Sequence, residues 1–514
     1  MNTKTIARNT AWYGLENVIG FVSSLITSIA IARTLGPSKM GYLIYVNWLV
    51  GIASTLGSVG IPATTRKYMA EFIGGGDRAT ARFIFLRTLT IQTILATVGT
   101  LIAVAWVFHD APPEFRIASL LLVISIWPAM INYVPAQANV AAEQLSANLP
   151  GSAVSTVVFF VMTILTVVFH WGVIGIASAM LAMRAADFLV RLFPTVRRIL
   201  AWPSDNIRTP PDLRPRMMRF AFQSVMGLLL TIIVWDRSEL FLLKHLSPDI
   251  RQLAFYSVAF NLAERLLIFP SVFASAAGAS VFAQFGRDKS RLPAMTVSSV
   301  RYLALISIPL HIIAVALAAP ALLTLYGTKY EGALLVATVS PLLCLPKAFL
   351  GPIQSLFEST DRQKYFIVTT VIASFIDIGV AWYLIPSLGA LGASLGSGAA
   401  QFTAIGLMWT IGIYRDNIRL PWRFLAKVTM ISLAASGTAY AVSFRLAPVR
   451  ALIVGGIAAT VTFFLLAYTF KILEPEDSSR FKIISAACPR ALAGPMNRAF
   501  DMLTKRMEPN STAV

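Results

Sequence analysis

The stretch Leu228–Leu243, LLLTIIVWDRSELFLL, interrupts a run of Leu, Ile, Val and Trp with Asp236, Arg237, Ser238 and Glu239, after which the apolar residues resume. Such a run belongs in hydrocarbon. Its charges then sit at a membrane edge or face something wet inside it. If the helix starts near Arg219, Asp236 falls about 25 Å along it at about 1.5 Å per residue, close to the far interface. Asp236 and Glu239 share a face, with Arg237 roughly 100° away. Decoration of the interface and a place at the mouth of a cavity both fit.

Composition settles the solvent. The chain has 514 residues, 56% hydrophobic and 13% charged, and its mean hydropathy is +0.70; soluble domains carry about 25% charged residues. A hydrocarbon core about 30 Å thick needs roughly 20 apolar residues per helix. Fourteen such stretches follow one another, from 10–34 to 449–470. Lys4 and Arg8 precede the first, but the run continues to Leu35 and is too long for a cleaved signal peptide, so it is read as a spanning helix. The net charge of +19 does not call for nucleic acid. Most Lys and Arg fall in segments on one side, which predicts both ends inside, and anionic lipid is a sufficient partner for the charge. Cys344 lies in a span and Cys488 in the inner tail, so no disulfide is expected.

The expected fold class is an all-α polytopic membrane protein with 14 transmembrane helices, N-in and C-in. Its expected organisation is a six-helix lobe (1–194), a basic linker (195–218), a second six-helix lobe (219–412), two further helices (413–470) and an amphipathic inner tail (471–514). The lobes look like weak copies. Leu35-Gly36-Pro37-Ser38 precedes Tyr42 and Tyr45 as Leu246-Ser247-Pro248-Asp249 precedes Phe255 and Tyr256, and GVIGIAS at 172–178 echoes GALGASL at 389–395. A parallel repeat of this kind suits a transporter. In the tail, Met496, Phe500, Leu503 and Met507 fall on one helical face, predicting a helix on the inner leaflet.

Absences narrow the chemistry. There is no Gly-rich loop ending in Gly-Lys-Ser/Thr, so no ATP site on this chain. His109, His170, His245 and His311 are scattered, without metal-ligand spacing. Outer loops are too short for a catalytic domain, so no catalytic residue, metal or cofactor is expected. What remains is charge at membrane depth, costing at least about 2.5–3.5 kcal/mol per residue at a helix centre and therefore usually facing a cavity. Arg184, Asp187 and Arg191 share a face, either as a site or as a locally neutralised set. Glu264 and Arg265 are neighbours at mid-depth. Lys347 lies among Pro341, Pro346 and Pro352, while Asp377 and Glu16 have no sequence-local partner. Asn132, Gln137 and Asn139 form a polar stripe around Pro135. Two bundles around a polar, partly basic cavity would suit a large polar solute with an anionic part. Candidate cavity residues are Arg184, Arg265, Lys347, Asn132, Gln137, Asp236 and Arg237; candidate ion-coupling residues are Glu16, Asp187, Glu264 and Asp377.

ARTLGPSKMGYLIYV and GSVGIPATTRKYMAEFIGGGD, then WDRSELFLL, FYSVAFNLAERL, YGTKYEGA and GALGASLGS, occur in an order that resembles the polysaccharide transporter family. These are the O-antigen and exopolysaccharide repeat-unit flippases of the multidrug/oligosaccharidyl-lipid/polysaccharide (MOP) exporter superfamily. The resemblance implies a multi-pass protein of the bacterial inner membrane. It would move an undecaprenyl-diphosphate-linked oligosaccharide between leaflets by alternating access, driven by H⁺ or Na⁺, beside a polymerase and a chain-length regulator. Lipid II flippases carry basic residues along their first helix, whereas NVIGFVSSLITSIAIAR here is apolar up to Arg33. The alternatives are a cation-coupled drug exporter of the same superfamily, a membrane-embedded glycan polymerase or ligase, and a scaffold.

Overall fold

In the computed structural model the described residues are 3–205, 210–235, 237–268, 270–271, 290, 292–360 and 362–472, with side chains of the first helix from Ser23 onward. The described residues are helical throughout apart from turns and short links. In lipid each backbone polar group must be satisfied within its own segment, which leaves the helix as the local solution for these apolar runs. Ten helical stretches among them are long and apolar enough to cross a membrane. The protein is a multi-pass, all-helical membrane protein.

The helices are α1 (Thr3–Gly57), α2 (Ile61–Gly74), α3 (Arg78–Asp110), α4 (Arg116–Ile124), α5 (Ile126–Ala141), α6 (Leu149–Val168), α7 (Gly172–Leu200), α8 (Leu213–Trp235) and α9 (Glu239–Leu246). They continue with α10 (Arg251–Arg265), α11 (Leu292–Tyr326), α12 (Leu334–Cys344), α13 (Leu350–Ser359), α14 (Gln363–Leu388), α15 (Ala390–Asp416), α16 (Trp422–Ser443) and α17 (Pro448–Thr469). The expected span at 10–34 lies within α1, which continues beyond it to Gly57 and is broken at Gly36 (φ 71°, ψ 172°). That conformation strains any residue with a Cβ. Pro37 then opens the second segment, where a missing N–H costs no helical bond. Asp77, last residue of the GGGD motif, caps α3: its side chain accepts from the Thr80 N–H at 2.9 Å and from Thr80 Oγ1 at 2.6 Å. Prolines divide Thr328–Ser359 into pieces, with Lys347 on a 3-10 turn, Leu345–Phe349, between α12 and α13.

Helix α7 runs to Leu200, past the expected start of the linker. The chain beyond it is tied down by Arg82, whose Nη1 donates to the Trp202 carbonyl at 2.7 Å. Two compact units form. One comprises Met1–Ser257, Tyr326–Tyr330 and Asp377–Gly396; the other comprises Val258–Leu325, Glu331–Ile376 and Ser397–Val514. A core of the first gathers Tyr68, Met69, Ile84, Phe85, Val134 and Ile199. A core of the second gathers Ile308, Ile312, Val428, Ile431 and Phe463. The amphipathic tail expected after 470 lies outside the described residues from 473 onward.

Candidate functional site

Matched polar residues recur at heptad spacing: Ser125, just before α5, with Asn132 and Asn139 on it, against Arg184, Arg191 and Arg198 on α7. Arg184 Nη1 donates to Ser125 Oγ at 2.8 Å, and its Nη2 donates to Asn47 Oδ1 of α1 at 3.1 Å. At the other end of the seam Arg198 donates to Asn139 Oδ1 and to Gln144 Oε1, and Thr195 Oγ1 donates to Asn139 Oδ1 at 3.2 Å. Both end arginines lie 59 residues after their partners, Ser125 and Asn139. A constant offset is what parallel helices with a seven-residue contact period produce.

The middle rung differs because it holds a carboxylate. Arg191 Nη2 donates to Asp187 Oδ1 at 2.6 Å, with side chains 11% and 23% exposed. Asn132 Nδ2 donates to Asp187 Oδ2 at 2.7 Å, and Arg191 Nη2 reaches Ser152 of α6 at 3.2 Å. Gly151 makes this approach possible: a Cβ there would lie 2.5 Å from Asp187 Oδ1 and 3.2 Å from Arg191 Nε. Of the two sequence-level readings of the Arg184–Asp187–Arg191 face, Asp187 and Arg191 fit local neutralisation. Among the described residues, Arg184 has only the neutral oxygens of Ser125 and Asn47 as hydrogen-bond partners. Asn132 Oδ1 and Gln137 Oε1 are buried acceptors without a protein donor among the described residues.

A second cluster assembles from α9, α10 and α14. Glu239 and Asp377 are each 1% exposed, and their carboxyl groups are within hydrogen-bonding reach of one another. Tyr256 donates to Glu239 Oε2 at 3.0 Å and Ser238 Oγ donates to Asp377 Oδ2 at 3.2 Å. Arg237, half-buried with φ 59°, acts electrostatically on Tyr256 from close by. Two carboxylates cannot both stay charged this close in a dry site without a proton or a positive charge beside them, and Arg237 is one such charge. Glu239, the partner of Asp377, was not among the sequence candidates. It shared the opening stretch with Asp236, but only packing brings it to Asp377.

In the other compact unit, Lys347 Nζ donates to Glu264 Oε1 at 3.1 Å, both side chains about a quarter exposed at 24% and 26%. Two sequence candidates thus form one ion pair. Arg265 ends α10 and is half-buried. Asp236 and the side chain of Glu16 lie outside the described residues.

Residues 6–287, just over half the chain, match the family described as polysaccharide biosynthesis protein. Among curated proteins, none matches the sequence. Solved structures match in fold. The lipid II flippase MurJ in an inward closed conformation superposes with TM-score 0.67 at 13% identity, covering 90% of this chain and 98% of the other. An inward-facing multidrug resistance MATE family transporter of the MOP superfamily gives 0.64 at 15% identity, covering 77% and 94%. A MOP superfamily transporter from Pyrococcus furiosus, described as having a binding pocket of reverse polarity, gives 0.53 at 14% identity, covering 78% and 93%. At these identities the likeness establishes the fold.

Proposed function

We propose, on the premise that this chain belongs to the polysaccharide biosynthesis protein family, that it is a flippase for a polyprenyl-diphosphate-linked oligosaccharide in surface polysaccharide biosynthesis. In this reading fourteen spans cross a bacterial inner membrane, N-in and C-in. The two lobes alternate access between leaflets under H⁺ or Na⁺ coupling, beside a polymerase and a chain-length regulator.

The observation that carries the reading is Arg184, a cation on a membrane helix balanced by the dipoles of Ser125 and Asn47. A guanidinium with no carboxylate partner among the described residues is poised for an anion, and its planar fork suits a phosphoryl group bidentately. Sugar hydroxyls need partners too, because an unpaired polar group costs several kcal/mol in hydrocarbon. The unpartnered acceptors of Asn132 and Gln137 would take such donors. Arg265, Lys347, Asp236 and Arg237 are further candidates for the same substrate. For coupling, Asp377 with Glu239 is favoured because two carboxyl groups side by side can share a proton or hold a cation; Asp187, Glu264 and Glu16 are further candidates.

The test uses purified protein in liposomes loaded with a polyprenyl-diphosphate oligosaccharide, with cleavage by an external glycosidase followed over time. Wild type is expected to expose protected glycan, Arg184→Ala to do so at least tenfold more slowly, and Arg184→Lys to fall between. An ethidium efflux control runs in the same vesicles. Glycan that stays protected while ethidium moves would overturn the reading in favour of a drug exporter.

A further inference from the structure

At its Leu200 end α7 presents a shallow, open hollow of about 660 Å³ lined by Phe193, Pro194, Arg197, Arg198 and Ala201. Three observations define what it would hold. First, it is basic: Arg197 is exposed and Arg198 half-buried. The partners of Arg198 are the side-chain oxygens of Gln144 and Asn139, both neutral, and its buried Nε has no acceptor among the described residues. Second, the face is amphipathic in order along the helix. Leu189, Phe193 and Leu200 are 48%, 65% and 44% exposed, and with Arg197 they fall on one side at helical spacing. An apolar track therefore leads from the membrane to the two arginines. Third, the level is interfacial, since Trp202 lies just beyond the helix end, under the Arg78 guanidinium, and aromatic residues favour the headgroup layer.

We propose that this hollow is a binding site for a resident anionic phospholipid, its phosphate between Arg197 and Arg198 and an acyl chain along Phe193 and Leu189. The ligand is amphipathic because the site is. A free anion would gain nothing from the apolar track, and a neutral lipid nothing from the positive charge of the two arginines. Bound there, the lipid would hold Arg198, the last rung of the α5–α7 seam.

The experiment is native mass spectrometry of the full-length protein released from nanodiscs containing equal phosphatidylglycerol and phosphatidylcholine. Wild type is expected to retain phosphatidylglycerol selectively. Retention should fall about thirtyfold in Arg197→Ala/Arg198→Ala and survive in Arg197→Lys/Arg198→Lys. Arg197→Glu changes only an exposed side chain, keeps the test valid if the double variant fails to fold, and should also lose the lipid. Arg445→Ala/Arg450→Ala removes the same charge from exposed positions elsewhere and should retain it. Equal retention of both lipids by wild type, or undiminished retention by Arg197→Glu, would overturn the proposal. Displacement by millimolar inorganic phosphate would make the hollow a free-anion site, and displacement by an equimolar polyprenyl diphosphate would make it a substrate entry point; either outcome also overturns the proposal.

Discussion

Gly151 is where the absence of one methyl group decides the most. A Cβ at that position would collide with the Asp187 carboxylate and crowd Arg191. Since the ion pair is locked by Asn132 and Ser152, it has little room to yield. Gly151→Ala is expected to destabilise the detergent-solubilised protein by about 1–3 kcal/mol, read as a lower thermal unfolding midpoint. Gly99→Ala, where the nearest heavy atom is 3.9 Å away, should change stability by no more than about 1 kcal/mol. The pair itself is testable by a cycle. Asp187→Asn strands the Arg191 charge and should cost about 2–3 kcal/mol, less than a fully dry pair because both side chains retain some exposure. Adding Arg191→Gln should recover part of that loss; additive losses in the same melts would deny the coupling.

At the scale of elements, α5 and α7 are held by polar rungs where two soluble helices would use leucines. Between membrane helices lipid offers no hydrophobic drive for association, so small residues and interhelical hydrogen bonds carry more of the specificity. Asn139 serves three partners at once, accepting from Thr195 and Arg198 and donating to Asn148 Oδ1 at 2.8 Å. Asn139→Ala should therefore cost about 1–1.7 kcal/mol, the upper part of the range for one membrane hydrogen bond, again as a lowered unfolding midpoint. Ser125→Ala, at a rung with a single side-chain contact to α7, should cost about 0.6 kcal/mol. Equal effects at the two positions would mean that the seam is not organised as its hydrogen bonds indicate.

At the scale of the whole molecule, the coupling role proposed for the carboxyl pair of Glu239 and Asp377 can be tested apart from transport. Asp377→Asn and Glu239→Gln each remove the need for an accompanying proton or cation while keeping the shape of the site. Both variants are expected to flip glycan at a rate no longer changed by an imposed H⁺ or Na⁺ gradient, measured in the glycosidase assay. If gradient dependence persists in both, the coupling ion binds elsewhere. Tyr256→Phe removes a donor to Glu239 without altering charge and should leave gradient dependence in place.

The solvent, the helical class and most helix positions were legible in the chain, because in hydrocarbon a backbone that cannot bond to water must bond to itself, and apolar runs mark where that happens. The break at Leu35-Gly36-Pro37-Ser38 was legible for the same local reason, and so was the shared face of Arg184, Asp187 and Arg191. The heptad register of Ser125, Asn132 and Asn139 against Arg184, Arg191 and Arg198 was also written in the sequence, though its offset has meaning only once two helices are known to run side by side. Partnership was decided by tertiary structure alone. Lys347 meets Glu264 across 83 residues, and Ser238 meets Asp377 across 139. Helical periodicity fixes which side of its own helix a charge occupies. Only the packing of that helix against others fixes whether the charge meets an opposite charge, a neutral oxygen or a second carboxyl group.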